Sequence, residues 1–319
     1  MMMKLVYYLP ILWLVFLTGC YEKEDDITPT EGTEEIFPLP QGDHDYDDQI
    51  VEWHDKYGFY ALYIFEDKDL YWANTEWLEG FRPEIASGGS LKGKAGDPDY
   101  VGQQLEVIKE LFLNNYPDEL IEKGMNLRLL LCSELWYTWN ERTFDEAWNI
   151  VLVPHYDFIW CARGWDHIAV NGACKDITAL DRDTKIQFSS EMNSLFLEIL
   201  GEKKLFSIPE EFFEISEYKS KNFYGTNLFK NGYLKTAVNS SNIAEFKEND
   251  VISYFNLMGH PLSVLEGVPE EEIDDEVPSV VGLFNREEGT LCKQKYDILL
   301  KCLKDAGVNM DKIQYPLGE

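Results

Sequence analysis

The stretch "FSSEMNSLF", residues 188–196, decides how this chain is read. It sets Glu191 between Ser190 and Ser194, in the spacing that zinc hydrolases fill with two histidines around a glutamate. Residues four apart on a helix project in one direction, so Ser190 and Ser194 point the same way. Met192, Leu195, Phe196, Ile199 and Leu200 recur at helical spacing and form an apolar stripe. Gln187, Ser190, Glu191, Ser194 and Glu198 share the other face. Thr184 followed by Gln187 reads as a capping box, and Gly201 after the last apolar pair reads as the stop. The spacing raises the question of whether this helix is that of a metal site, with hydroxyls at the two positions histidines would take.

Working outward, the 319 residues are 45% hydrophobic and 14% aromatic, enough for one large domain or two packed ones with a sizeable core. The formal net charge of −30, with no basic patch interleaved with aromatics, excludes nucleic acid as a partner class. Lys4 precedes an apolar run over residues 5–17, the size of a signal-peptide core and short for a bilayer span. The run ends in "LTGC", which resembles the lipobox of bacterial lipoproteins, with Cys20 as the acylated residue. "YEKEDD" follows, similar to the surface-export signal of some Gram-negative lipoproteins. Up to Asp48 the chain is rich in acids and proline and has little periodicity, as a self-repelling spacer does. This organisation gives a signal peptide over 1–19, an acidic flexible tether over 20–48 and one domain over 49–319.

Within the domain, residues 57–65, 126–133 and 148–154 are β-branched or aromatic runs of strand length. Val101, Leu105, Ile108, Leu111 and Phe112 mark a helix between the first two. Helical patterns near 185–200, 249–258 and 290–306 dominate the second half, which predicts an α+β fold. Five cysteines lie beyond Cys20, an odd number without a C-x-x-C pair; Cys161 and Cys174 can be bridged or remain buried thiols. "EEEIDDE", residues 270–276, reads as a solvated loop. Trp136, Trp139, Trp160 and Trp165 flank strand-like segments as core residues or as a stacking platform for a ligand.

From "YGFYALYIF" through "NLRLLLCSEL", "WNIVLVPH", the "KIQFSSEMNSLF" helix, "NGYLKTAVN", "ENDVISYF" and "YDILLKCLKDAGVNMDKIQ", the chain resembles the substrate-import-associated zinc metallohydrolase lipoproteins. The resemblance spans nearly the whole domain. It implies a zincin-like metallopeptidase fold, a helical H-E-x-x-H, a later acidic ligand on an E-D-F-x-E helix, and a gene neighbourhood with TonB-dependent nutrient importers. Placed on this chain, Ser190 and Ser194 occupy the histidine positions, Glu191 keeps that of the catalytic base, and Ser253 falls at the third ligand. Neutral hydroxyls are poor zinc donors, and without the ion no water near Glu191 is activated.

The histidines, His44, His54, His155, His167 and His260, include no two within four residues of each other, so no local pair replaces the lost ligands. His44 falls in the tether, and His260 follows Gly259 at a helix end as a cap or solvated imidazole. A serine nucleophile needs a base beside it, and Glu191 points about 100° away from either serine. The expectation is an outer-membrane, surface-exposed lipoprotein with a zinc-free, non-catalytic domain. It would bind peptide or glycan as an accessory of a TonB-dependent importer, with Glu191 as a vestige and no cofactor. The alternatives are a hydrolase with a rearranged metal site and a structural subunit of the importer complex. Acylation at Cys20 is expected to carry the protein into the detergent phase of a Triton X-114 separation, and Cys20→Ala to leave it an unprocessed precursor; a processed, lipid-free product would refute the lipobox assignment.

Overall fold

The computed structural model describes residues 37–70, 90–218, 227–235, 242–270 and 279–318. The segment read as a signal peptide, Cys20 and most of the segment read as a tether lie outside them, as do residues 271–276 of the acidic run. Two units are distinguished, Met1–Pro38 and Leu39–Glu319, and the elements below belong to the second. The folded unit thus begins ten residues ahead of the boundary read from composition. The Gln41 amide oxygen accepts from Tyr63 N–H at 2.8 Å and Ile64 N–H at 3.0 Å. Asp47, 3% exposed, accepts from the Tyr63 hydroxyl at 3.1 Å and from His44 N–H at 2.8 Å. His44 therefore belongs to the domain, because the acids around it find buried donors.

Helix α1 (Asp47–Tyr57) leads into β1 (Tyr60–Leu62), then β2 (Ser90–Ala95), α2 (Pro98–Leu111) and α3 (Asp118–Gly124). The strand β3 (Arg128–Phe144) is followed by β4 (Ile150–Phe158), β5 (Cys161–Arg163) and β6 (His167–Val170). Among the described residues everything after β6 is helical: α4 (Arg182–Glu202), α5 (Glu210–Glu214), α6 (Asn227–Lys230), α7 (Ile243–Met258), α8 (Leu262–Leu265), α9 (Thr290–Asp305) and α10 (Met310–Gln314), with short 3-10 turns between. The molecule is a mixed α and β protein, with strands and helices interleaved up to β6 and helices alone after it among the described residues.

The 17-residue β3 organises the sheet. Its first half runs parallel to β1 and β6, with β5 antiparallel on the far side of β6. Its second half pairs antiparallel with β2 and β4. Leu129 to Leu131 are fully buried, whereas Phe144, Trp148 and Ile150 at the far end of the β3–β4 hairpin are 60%, 82% and 64% exposed. Beyond Ser133 the strand mixes aromatic with polar and charged residues and becomes more exposed toward Phe144, because that half leaves the core.

α4 packs its Phe188, Met192, Phe196 and Leu200 into the main core; Leu195, read as part of the same stripe, is half-buried at its margin. The helix starts earlier than the capping box predicted, since Asp181 caps it by accepting from Thr184 N–H at 2.8 Å. It also runs through Gly201. Lys204 takes the left-handed conformation at its end, φ 53°, with Leu205 N–H returning to the Leu200 carbonyl. Gly201 serves packing instead: a side chain there would meet the Phe255 ring at 3.0 Å. A fully buried Asn193 fastens α4 to α2, accepting from the Tyr116 hydroxyl at 2.9 Å and donating to the Leu111 carbonyl at 3.1 Å. That carbonyl has no helical donor of its own, so the asparagine satisfies a helix end.

The helical half closes on an ion pair. Lys295, with no exposed surface, donates to Asp250 at 2.7 Å and to the Gly232 carbonyl at 2.9 Å. The Tyr218 hydroxyl donates to the same carboxylate at 2.5 Å. Removing one member of such a pair strands the other charge, so Asp250→Ala is expected to cost roughly 3–5 kcal/mol in chemical denaturation, while Asp250→Leu with Lys295→Met recovers most of it. A loss confined to a few tenths would show that the pair is hydrated.

Candidate functional site

Glu191 sits midway along α4 with its carboxylate turned to the bend between β4 and β5. One oxygen accepts from Trp160 N–H at 2.8 Å, and the other from the Gln187 amide at 2.9 Å. Cys161 N–H also faces it. Burial pushes this carboxyl above its ordinary value, and these hydrogen bonds pull it back. The carboxylate thus ties helix to sheet, as an acceptor for two backbone donors at a strand bend.

Its neighbours were brought together from distant parts of the chain. The Ser190 hydroxyl lies 3.2 Å from Nδ1 of His260, just beyond the end of α7. Burial lowers the His260 pKa, which keeps the imidazole neutral at neutral pH. Ser194, read as facing outward with Ser190, is instead buried, 7% exposed, and its hydroxyl oxygen has no hydrogen-bond partner. Gly259 closes on it: a Cβ on Gly259 would stand 2.2 Å from the Ser194 nitrogen and 2.4 Å from its hydroxyl oxygen.

The α4–α7 crossing is antiparallel. Asn256 donates to Glu198 at 2.6 Å, Phe255 lies over Gly201, and Lys204 pairs with Glu248 at 2.8 Å. Ser253 is therefore about 10 Å down the axis of α7 from His260, at 1.5 Å per residue. Its hydroxyl donates to the Asp250 carbonyl of its own turn at 2.7 Å. Ser190, Glu191 and Ser194 share one stretch of helix, but Ser253 does not join them.

These residues do not fit a zinc ion. The hydroxyls are neutral, both Glu191 oxygens accept framework hydrogen bonds, and His260 is a single imidazole. Among the described residues no group of three or more His, Cys, Asp or Glu side chains is placed to hold a metal ion. His44 stacks on Tyr46, His54 lies against Tyr60, and His155 stacks on Trp139 and reaches Glu141. His167 is fully buried beside Asp166. The five cysteines 132, 161, 174, 292 and 302 are all free thiols.

Beside this site lies a cleft of about 900 Å³. Trp136, Phe158 and Trp160 form one wall, and the loop from Asn171 to Asp181 forms another; Thr184 brings the first turn of α4 to it. Phe158 stands edge-to-face between Trp136 and Trp160, at 5.6 and 5.0 Å, and Trp160 continues the run to Phe188 in the core. Trp160, whose N–H holds Glu191, thus links the serine site to the cleft. Of the four tryptophans considered, Trp139 lies on the opposite face of the hairpin and Trp165 is 83% exposed. His260 and the cleft were invisible to sequence spacing, because they form across α4–α7 and β4–α4 contacts. The Gly259-His260-Pro261 break was the one local signal.

No protein-family model, no curated protein and no solved structure matches this chain.

Two opposite titrations are expected here. The folded state holds the Glu191 proton more tightly than the unfolded chain, so stability from this group falls as pH rises above the ordinary 4.5. His260 is depressed, so its contribution is lost as pH falls below 6.5. In melting curves across the acidic range, Glu191→Gln should remove the first slope and His260→Asn the second. Variants that melt in parallel with the wild type would place both groups in water.

Proposed function

We propose that this chain is a zincin-like, non-catalytic binding domain of an outer-membrane lipoprotein, anchored through Cys20 and displayed at the surface. It holds a peptide or glycan as an accessory of a TonB-dependent nutrient importer. The observation that carries this reading is the commitment of Glu191. The one retained member of the H-E-x-x-H pattern has both carboxylate oxygens in framework hydrogen bonds, next to a cleft with an aromatic wall. The zincin-like assignment is supported by a long helix with the S-E-x-x-S stretch, packed against a mixed sheet beneath an antiparallel edge strand, β5. Concave sites lined by aromatic and a few polar groups are the usual form of ligand sites.

A hydrolase reading has one observation in its favour: a neutral His260 within reach of the Ser190 hydroxyl. Against it, the backbone N–H groups of Trp160 and Cys161 are taken by Glu191 and do not serve as oxyanion donors. Zinc measured by mass spectrometry in the purified full-length lipoprotein is expected well below stoichiometric after dialysis. Added zinc should leave the melting temperature unchanged. Retention of stoichiometric zinc against a mild chelator, or covalent labelling of Ser190 by a fluorophosphonate, would overturn the non-catalytic reading.

A further inference from the structure

The cleft wall is made of two kinds of group. Aromatic rings from Trp136 and Phe158, which face each other across β3 and β4, stand on one side. Asp97, Asp176, Asp181 and Glu134 line the same cleft. Lys175 is the one cation among the described lining residues. Glu134 is already answered by Lys94 at 2.9 Å, so it adds little to the field. Asp97 caps a helix by accepting from Asp99 N–H, and Asp181 accepts from Thr184 N–H with the Thr184 side chain and Asp183 N–H also on it, while Asp176 takes no hydrogen bond or ion pair from the described residues.

Carboxylates beside aromatic rings are the combination that holds an ammonium or guanidinium, by charge and by the ring quadrupole together. The same face of the hairpin already makes this contact internally, where Lys92 Nζ lies 5.8 Å over the Tyr156 ring. The ligand's backbone has a complement as well. Among the described residues β4 pairs with β3 alone, so its outer edge, which ends at Phe158 in the cleft, is open to strand addition. Pro154 lacks an N–H and interrupts the donors of that edge, which leaves residues 155–158 as an unbroken run at the end nearest the cleft. An anionic ligand would meet three carboxylates, and a neutral glycan would leave them without countercharge.

We propose that the cleft binds an extended basic peptide, with a lysine or arginine side chain held between Trp136 and the carboxylates of Asp97, Asp176 and Asp181. This rests on the binding-domain reading above and names its ligand. The acidic surface of the whole chain, −30 in formal charge, would speed the approach of such a ligand.

The test is calorimetric titration of the full mature protein with a lysine pentapeptide, a glutamate pentapeptide and a neutral xylo-oligosaccharide. The lysine peptide is expected to saturate with one bound per chain, weakening steeply as salt rises, and the glutamate peptide to give no heat. Trp136→Ala should weaken binding about tenfold, with Trp136→Phe in between. Asp176→Asn, at an exposed side chain that the fold does not use, should weaken it severalfold and flatten the salt dependence. Melting temperatures identify any variant that fails to fold, and Asp176→Asn keeps the test decisive if Trp136→Ala does. Lysine-peptide binding that ignores both positions would be diffuse attraction to an acidic surface and would overturn the proposal. Salt-independent binding of the xylo-oligosaccharide alone would overturn the basic-peptide assignment and keep the binding cleft. Silence from every probe would remove both.

Discussion

A lysine with no exposed surface is the constraint around which the helical half is arranged. Burial disfavours both charges of the Lys295–Asp250 pair, raising the carboxyl and lowering the ammonium, while their 2.7 Å contact opposes both shifts. Three acceptors surround Nζ: Asp250, the Gly232 carbonyl and the Tyr218 hydroxyl, the number an ammonium can serve. The rings of Phe212, Tyr233, Tyr218 and Tyr254 close around it with centroids 4.9 to 5.5 Å away. Each partner belongs to a different part of the chain, so satisfying one charge fixes α7, α9 and the loops at Tyr218 and Gly232 together. Gly232 has φ 73°, and a side chain there would press on the Ser216 hydroxyl at 2.7 Å; a glycine is required to turn its carbonyl toward the lysine.

Once α7 is held by Asp250, its other end meets α4 in the one register that small residues allow. Gly259 lies against the backbone of Ser194, and Gly201 lies against Phe255. Close approach at both ends of the crossing brings His260 to Ser190 and Asn256 to Glu198. The serine site is thus a consequence of packing that the ion pair anchors some distance away. The buried Ser194 hydroxyl has no hydrogen-bond partner where Gly259 packs against it.

The sequence exposed the broad architecture because hydrophobic period is a local property. α2, α4 and α9 lie where their apolar stripes recur, and the core segments of β1 and β3 are apolar runs bounded by polar residues. β2, β5 and β6 were missed for physical reasons. β2 reads "SLKGKA", with lysines on its exposed positions, while β5 and β6 are three and four residues long and depend on pairing with their neighbours. The end of α4 was misplaced because Lys204 adopts a conformation that favours glycine, and Gly201 was taken for that role. Ser190 and Glu191 were legible as a pair. The partners that define what they do, Trp160 and His260, are 31 and 70 residues away and left no periodic trace.

The same packing explains why a glutamate stands between the serines. At the bend from β4 to β5 the N–H groups of Trp160 and Cys161 turn away from the sheet and toward α4. An apolar residue at position 191 would leave buried donors unanswered, at a cost of about 1–3 kcal/mol for each. A carboxylate or amide at that helix position answers both, whatever chemistry accompanies it. At position 194 the demand is the reverse. Gly259 leaves no volume for a side chain larger than serine, so an imidazole there would have to part α4 from α7 and carry His260 away from Ser190. The fold thus favours a hydrogen-bond acceptor at position 191 and a small side chain at position 194. The second preference is the opposite of what a zinc site would select, and both follow from hydrogen bonds and atomic contacts alone.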